Sequence, residues 1–98
     1  MAVDMMTMLL ADLNMRNAPA ARVEQLQQLL EVAAARIKGK GIQTLDPVGS
    51  VSDAQLQVDF AAWLYRRRTQ AEATEMPRSL QIDIHDRLIA EKGRVSDG

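Results

Sequence analysis

The chain has 98 residues, no cysteine and a formal net charge of −1. This excludes a disulfide scaffold and a cysteine-based zinc site, and leaves no net electrostatic pull toward nucleic acid or membrane. Apolar residues make up 47% of the chain, enough for one folded domain, but a chain this short hides only a little over 60% of its unfolded surface, so its core is thin and oligomerisation is a common remedy.

Phe60, Trp63 and Tyr65 are the only aromatic residues, and Ala, Leu, Met, Gln, Glu and Arg dominate the rest. That composition favours helix over strand. No apolar run approaches the ~20 residues needed to cross a bilayer. The first residues carry no basic stretch ahead of an apolar one, so no signal peptide is expected. The lack of cysteine fits a reducing cytoplasm. The expectation is an all-α domain over residues 1–93, a small bundle of about four helices, followed by a flexible polar tail at 94–98.

The first helix is predicted over 3–13, with Asp4 or Thr7 as its cap and Met5, Met6, Leu9, Leu10 and Leu13 at helical spacing. Residues 14–19 break the pattern, and Pro19 suits the first position of a second helix that runs to about residue 38. Val23, Leu26, Leu30, Ala33 and Ile37 form its apolar stripe, widened by Leu29 and Ala34, and Gly39 and Gly41 end it. Residues 42–51 form the longer loop between helices two and three. Its turn residues Thr44, Asp46, Pro47, Gly49 and Ser50 alternate with Ile42, Leu45, Val48 and Val51, which predict a loop lying on the core, with a short extended piece near 41–45.

Ser52 followed by Gln55 reads as a capping box for a third helix over about 53–73, with Asp53 as a favourable charge in its first turn. Leu56, Phe60, Trp63 and Leu64 make one apolar face and Val58, Ala62 and Tyr65 a second, the pattern of a central helix. It packs on helix two and on helix one, helix four or a neighbouring subunit. Pro77 opens a fourth helix whose apolar side is Leu80, Ile84 and Leu88, with Ile82 and Ile89 as further members, and Gly93 stops it.

Little here points to chemistry. His85 is the single histidine, and with Asp83 and Asp86 it lacks the three or four convergent ligands a metal needs, so a solvated face is the better reading. No serine lies in a nucleophile elbow, and Gly39-Lys40-Gly41 is too short for a phosphate loop. No catalytic, cofactor or metal residue is assigned, and an enzyme is not expected. The basic run Arg66-Arg67-Arg68 fans over about 200° of helix surface, so its members cannot all meet one phosphate backbone. A solvated surface, a contact with acidic residues of a partner protein and a contact with nucleic acid all remain open for it.

The layout resembles a known family. The quoted stretches are Val23-Glu24-Gln25-Leu26, then Leu29-Leu30-Glu31-Val32-Ala33-Ala34-Ala35-Arg36-Ile37 ending in Lys-Gly, then Ala61-Ala62-Trp63-Leu64-Tyr65-Arg66-Arg67-Arg68, then Glu75-Met76-Pro77-Arg78-Ser79-Leu80. Together they look like the small head–tail connector (adaptor, or head-completion) proteins of long-tailed bacteriophages and prophages. The likeness covers about residues 5–88. Residues 81–92 extend beyond the short tail of that pattern, and the 42–51 loop is compact.

The resemblance implies a structural virion assembly protein that forms a ring of about a dozen copies on the portal, with heterologous contacts closing around an axis. The ring extends the DNA channel and docks the stopper or tail-completion protein. Its partners are then other copies of itself, the portal and the stopper, with DNA only as passing, non-specific channel content and no membrane. Its place is the host cytoplasm during assembly and the head–tail junction of the virion afterwards. On this reading helix three carries the subunit interface, with Trp63 and Tyr65 as anchors, and Arg66, Arg67 and Arg68 face a channel, the portal or a neighbour's acids. Plain intrasubunit core is the competing reading for Trp63. The competing functions are a small DNA-associated regulator or terminase-small-subunit-like protein, and a generic helical protein-interaction module.

Overall fold

The computed structural model describes residues 4–69 and 75–96, with side chains as far as residue 93. It is all-α: α1 (Met5–Asp12), α2 (Ala20–Gly39), α3 (Val51–Thr69) and α4 (Arg78–Ser96). The extents of 45 × 35 × 18 Å make it a slab rather than a sphere. The predicted parts of helices one and three at residue 3 and at 70–73, and the end of the predicted tail at 97–98, lie outside the described residues.

An isolated helix of eight residues is unstable in water, so α1 persists through its ends and its packing. The Asp4 carboxylate accepts from the Thr7 N–H at 3.2 Å and from the Thr7 hydroxyl, and these bonds hold its pKa below the usual value. At the other end Asn14 adopts the left-handed conformation (φ 59°). The Asn14 N–H then reaches the Ala11 carbonyl at 3.1 Å and the Met15 N–H the Leu10 carbonyl at 2.8 Å. This is a Schellman closure with Asn in the position where Asn is the common alternative to Gly. Leu9 is fully buried against the centre of the molecule.

In α2, Leu26, Leu29, Leu30, Ala33 and Ile37 are buried, as their spacing requires. Pro19 stands one position before the helix, with extended backbone (φ −65°, ψ 158°), rather than at its first helical position. The helix ends when Gly41 turns to φ 116°; a side chain there would be strained, and a Cβ would come within 3.3 Å of Leu88 Cδ2. The following loop is only half as predicted. Ile42 and Leu45 are buried, while Val48 is 71% exposed and Val51 66% exposed. Residues 41, 43 and 44 are turns, and 41–45 holds no extended piece.

α3 is the central element. Ala54, Leu56, Val58, Phe60, Ala61 and Ala62 are all buried, and the helix packs on α1, α2 and α4 together. Its cap is Ser50, whose hydroxyl accepts from the Asp53 N–H at 3.2 Å. The predicted Ser52–Gln55 box does not form, because the helix begins two residues earlier and Gln55 donates instead to Asp59 at 2.7 Å. Gln57, also buried, ties α3 to α2 by donating to the Leu30 carbonyl at 2.8 Å.

α4 buries Leu80 and Ile84 and half-buries Leu88. Ile82 and Ile89 do not join that side: they are 49% and 58% exposed, because a seven-residue step puts them together on the outer face, about 100–160° round the helix from Ile84 and Leu88. Gly93 does not stop the helix, which continues to Ser96. A helical glycine costs only about 1 kcal/mol, and Glu91, two residues earlier, is pinned to the core.

Candidate functional site

Two regions along α3 gather polar side chains. The first is at its N-terminal turns and was not foreseen from the sequence. Asp53 is 5% exposed, and its carboxylate takes Arg87 Nε at 2.8 Å and Arg87 Nη2 at 3.3 Å. The same carboxylate accepts from the Asp46 N–H at 2.9 Å. Arg87 also donates to Glu91 at 3.3 Å, and to the carbonyl and hydroxyl of Thr44 at 3.0 Å each. Glu91 in turn accepts from the Thr44 N–H at 3.1 Å and from its hydroxyl. One guanidinium thus clamps the 42–50 loop, the start of α3 and the middle of α4. The Thr44 hydroxyl, ahead of Arg87, holds the Glu91 pKa below the usual range, and the Asp53 hydrogen bond raises that of Arg87.

The sequence carried a signal for this clamp. Arg87 and Glu91 fall on the same helical stripe as Leu80, Ile84 and Leu88, and Asp53 lies three and seven residues before Leu56 and Phe60. Charges that interrupt an apolar stripe need partners.

Beside the clamp runs a groove of ≈ 510 Å³ between the start of α3 and α4, lined by Val51, Leu56 and Ala90 and rimmed by Asp83 and Asp86. Asp59 lies close by. Burial pushes its carboxyl pKa up, and the negative charges of Asp12 and Asp83 add to that against the lowering by its bond from Gln55. His85, Asp83 and Asp86 are exposed, and among the described residues no group of three His, Cys, Asp or Glu side chains is placed to hold a metal.

The second region holds the residues singled out from the sequence, and it disperses them. Trp63 is half-buried and packs edge-on to Phe60, with ring centroids 5.5 Å apart. Its indole N–H donates to the Glu75 carbonyl at 3.1 Å, and Arg67 lies over its ring at 5.1 Å. Tyr65 points the other way: its hydroxyl accepts from Arg22, whose guanidinium lies 5.6 Å from the ring centre. Arg66 reaches α1, donating to the Asp12 carbonyl at 3.1 Å with the Asp12 carboxylate at 3.8 Å. Trp63, Tyr65 and Arg66 therefore spend their polar atoms on contacts within the chain.

Arg67 and Arg68 remain on the surface, and α2 brings Arg36 to them. These three guanidiniums and Leu29, Val32 and Leu64 line a groove of ≈ 280 Å³ that holds no carboxylate. Only the packing of α2 on α3 makes Arg36 a neighbour of Arg68. Among the described residues no helix is long and apolar enough to cross a membrane.

Neither the protein-family models, nor the curated proteins, nor the solved structures yield a match to this chain.

Proposed function

We propose that the protein is a head–tail connector: a structural subunit that assembles side by side with its copies into a ring on the portal of a long-tailed phage or prophage. The ring prolongs the DNA channel and offers its far side to the stopper or tail-completion protein. The subunit acts in the host cytoplasm during assembly and stays at the head–tail junction. Its contribution is binding, with no catalytic step.

The observation that carries this reading is surface left over. The uncovered part includes Val32, Val48, Val51, Ile82 and Ile89, all large and apolar. A slab only 18 Å through cannot hide these by itself, and neighbours packed edge to edge would cover them. The helix order and the quoted stretches of α2, α3 and the start of α4 support the connector among possible assemblies. The near-neutral charge suits a wall that DNA must slide past, since each tight phosphate contact would hold it back.

The test is co-expression with the portal protein of the same genome, then electron microscopy of the purified portal. A ring of added density on one portal face is the expected result. A bare portal, with this protein recovered separately as a monomer, overturns the reading.

A further inference from the structure

The two grooves differ in sign and share a design. The one between the start of α3 and α4 has an apolar floor that includes the 66% exposed Val51. Around it stand three carboxylates, Asp53, Asp83 and Asp86, against the single guanidinium of Arg87. Arg87 is consumed by Asp53 and Glu91, which leaves the exposed rim pair Asp83 and Asp86 without a cation among the described residues. The other groove, at the last turns of α3, has an apolar floor with the 40% exposed Val32. It is ringed by Arg36, Arg67 and Arg68, none paired with a carboxylate among the described residues. From Asp53 to Arg67 the helix rises about 21 Å, so one copy cannot bring its own two grooves together.

We infer that these grooves are the two halves of one self-interface: the acidic groove of one copy receives the Arg36, Arg67 and Arg68 edge of the next, with Val51 meeting Val32. Charge complementarity selects a second copy of this chain as the occupant, because the molecule that carries the basic edge also carries its match. Nucleic acid fits less well, since an apolar floor gives nothing to a phosphate and the chain as a whole is −1. The two halves are different surfaces, so the contact is heterologous and propagates from copy to copy, closing as a ring when the rotation allows. Closure on a portal rests on the proposed function; the pairing of the grooves does not.

Two double variants of the full chain test it, Asp83→Arg with Asp86→Arg, and Arg36→Glu with Arg68→Glu. All four side chains are exposed, and none makes a hydrogen bond or ion pair within the described chain, so unchanged circular dichroism and melting temperature serve as the folding control. Sedimentation velocity over a rising concentration series should show self-association of the unaltered chain that weakens with salt. Each double variant alone should lose it by more than about a hundredfold, because like charges then face each other. An equimolar mixture of the two, or the quadruple variant in one chain, should regain it.

Double variants that associate like the unaltered chain overturn the inference. So does an Arg36→Glu/Arg68→Glu variant that keeps assembling but loses binding to a labelled DNA duplex, which would make that groove a phosphate site. If the unaltered chain sediments as a monomer throughout, the same variants are scored on the portal. A portal ring that forms with every variant refutes the groove pairing and leaves the connector reading standing. No ring even with the unaltered chain refutes the connector reading, and with monomer throughout it refutes the pairing as well.

Discussion

Asp53, in the first turn of α3, has a side chain 7% exposed and is bound to an arginine side chain 11% exposed. Arg66, near the other end of the same helix, is 42% exposed and faces Asp12, itself 38% exposed, at 3.8 Å. Both are Arg–Asp pairs, yet they do different work. Around Asp53 three chain segments converge, little of either side chain meets water, and each charge must be answered within the protein. Around Arg66 water screens the pair, and its net worth falls below about 1 kcal/mol. The contrast explains why one end of α3 organises the fold while the other leaves arginines free to meet something else.

The largest expected effect comes from breaking the clamp. Arg87→Met should destabilise the protein by about 3 kcal/mol, at the low end for a broken buried pair because the shell around it is thin. A shift in the urea midpoint measures it. Replacing Asp53 by Leu and Glu91 by Met in the same chain should recover much of that loss, since the penalty is stranded charge rather than lost attraction. If Arg87→Met unfolds at the original midpoint, the clamp does not organise the fold.

Trp63→Ala comes next. Full burial would cost about 3–5 kcal/mol, but the half-buried ring against Phe60 should cost about 2 kcal/mol. A cost matching full burial would mean that the indole contributes more than the Phe60 contact and the Glu75 hydrogen bond.

Acid sharpens the comparison further. The folded pKa of Glu91 lies below its ordinary 4.5, chiefly through Thr44. Its contribution is therefore complete above about 4.5 and is lost as the pH falls through the lower folded value. Asp59 has the opposite sign: its folded pKa lies above 3.8, so its ionisation costs stability that returns as it protonates. Melting temperature followed downward from pH 6 should fall in the native chain, and fall less steeply in Thr44→Val, which removes the hydroxyl acting on Glu91.

The smallest effects belong to charges only partly withdrawn from water. Arg66→Ala should cost under about 1 kcal/mol. Asp59→Asn should be neutral or stabilising by about 0.5 kcal/mol, since the burial that penalises its charge, and after it the like charges of Asp12 and Asp83, then act on an uncharged group. A loss above that size for either would contradict the screening argument.

The parts that could be read from the sequence were local. The stripe Leu26, Leu30, Ala33 and Ile37 predicted α2 and its buried side, and Asp4 was a legible cap because its partner Thr7 is three residues away. Ser50 was missed as the cap of α3 because Ser52–Gln55 offered the same spacing, and only the start of the helix decides between them. Gly93 and the pair Ile82 and Ile89 were misread because a glycine can stay helical and an apolar residue can stay exposed when the rest of α4 is anchored. The candidate site was half legible. Arg67 and Arg68 were singled out, but their companion Arg36 and the opposed acidic groove were not, since each depends on which helices lie side by side.

The sequence by itself determined that this is a four-helix, all-α protein, because helical periodicity and capping act over three or four residues. Only the tertiary structure decided where charge is buried and where it is displayed. Arg87 meets Asp53 across 34 residues and Thr44 meets Glu91 across 47, and no local pattern carries information over that distance. What selects those partners is the cost of leaving a charge unanswered once the helices have closed around it.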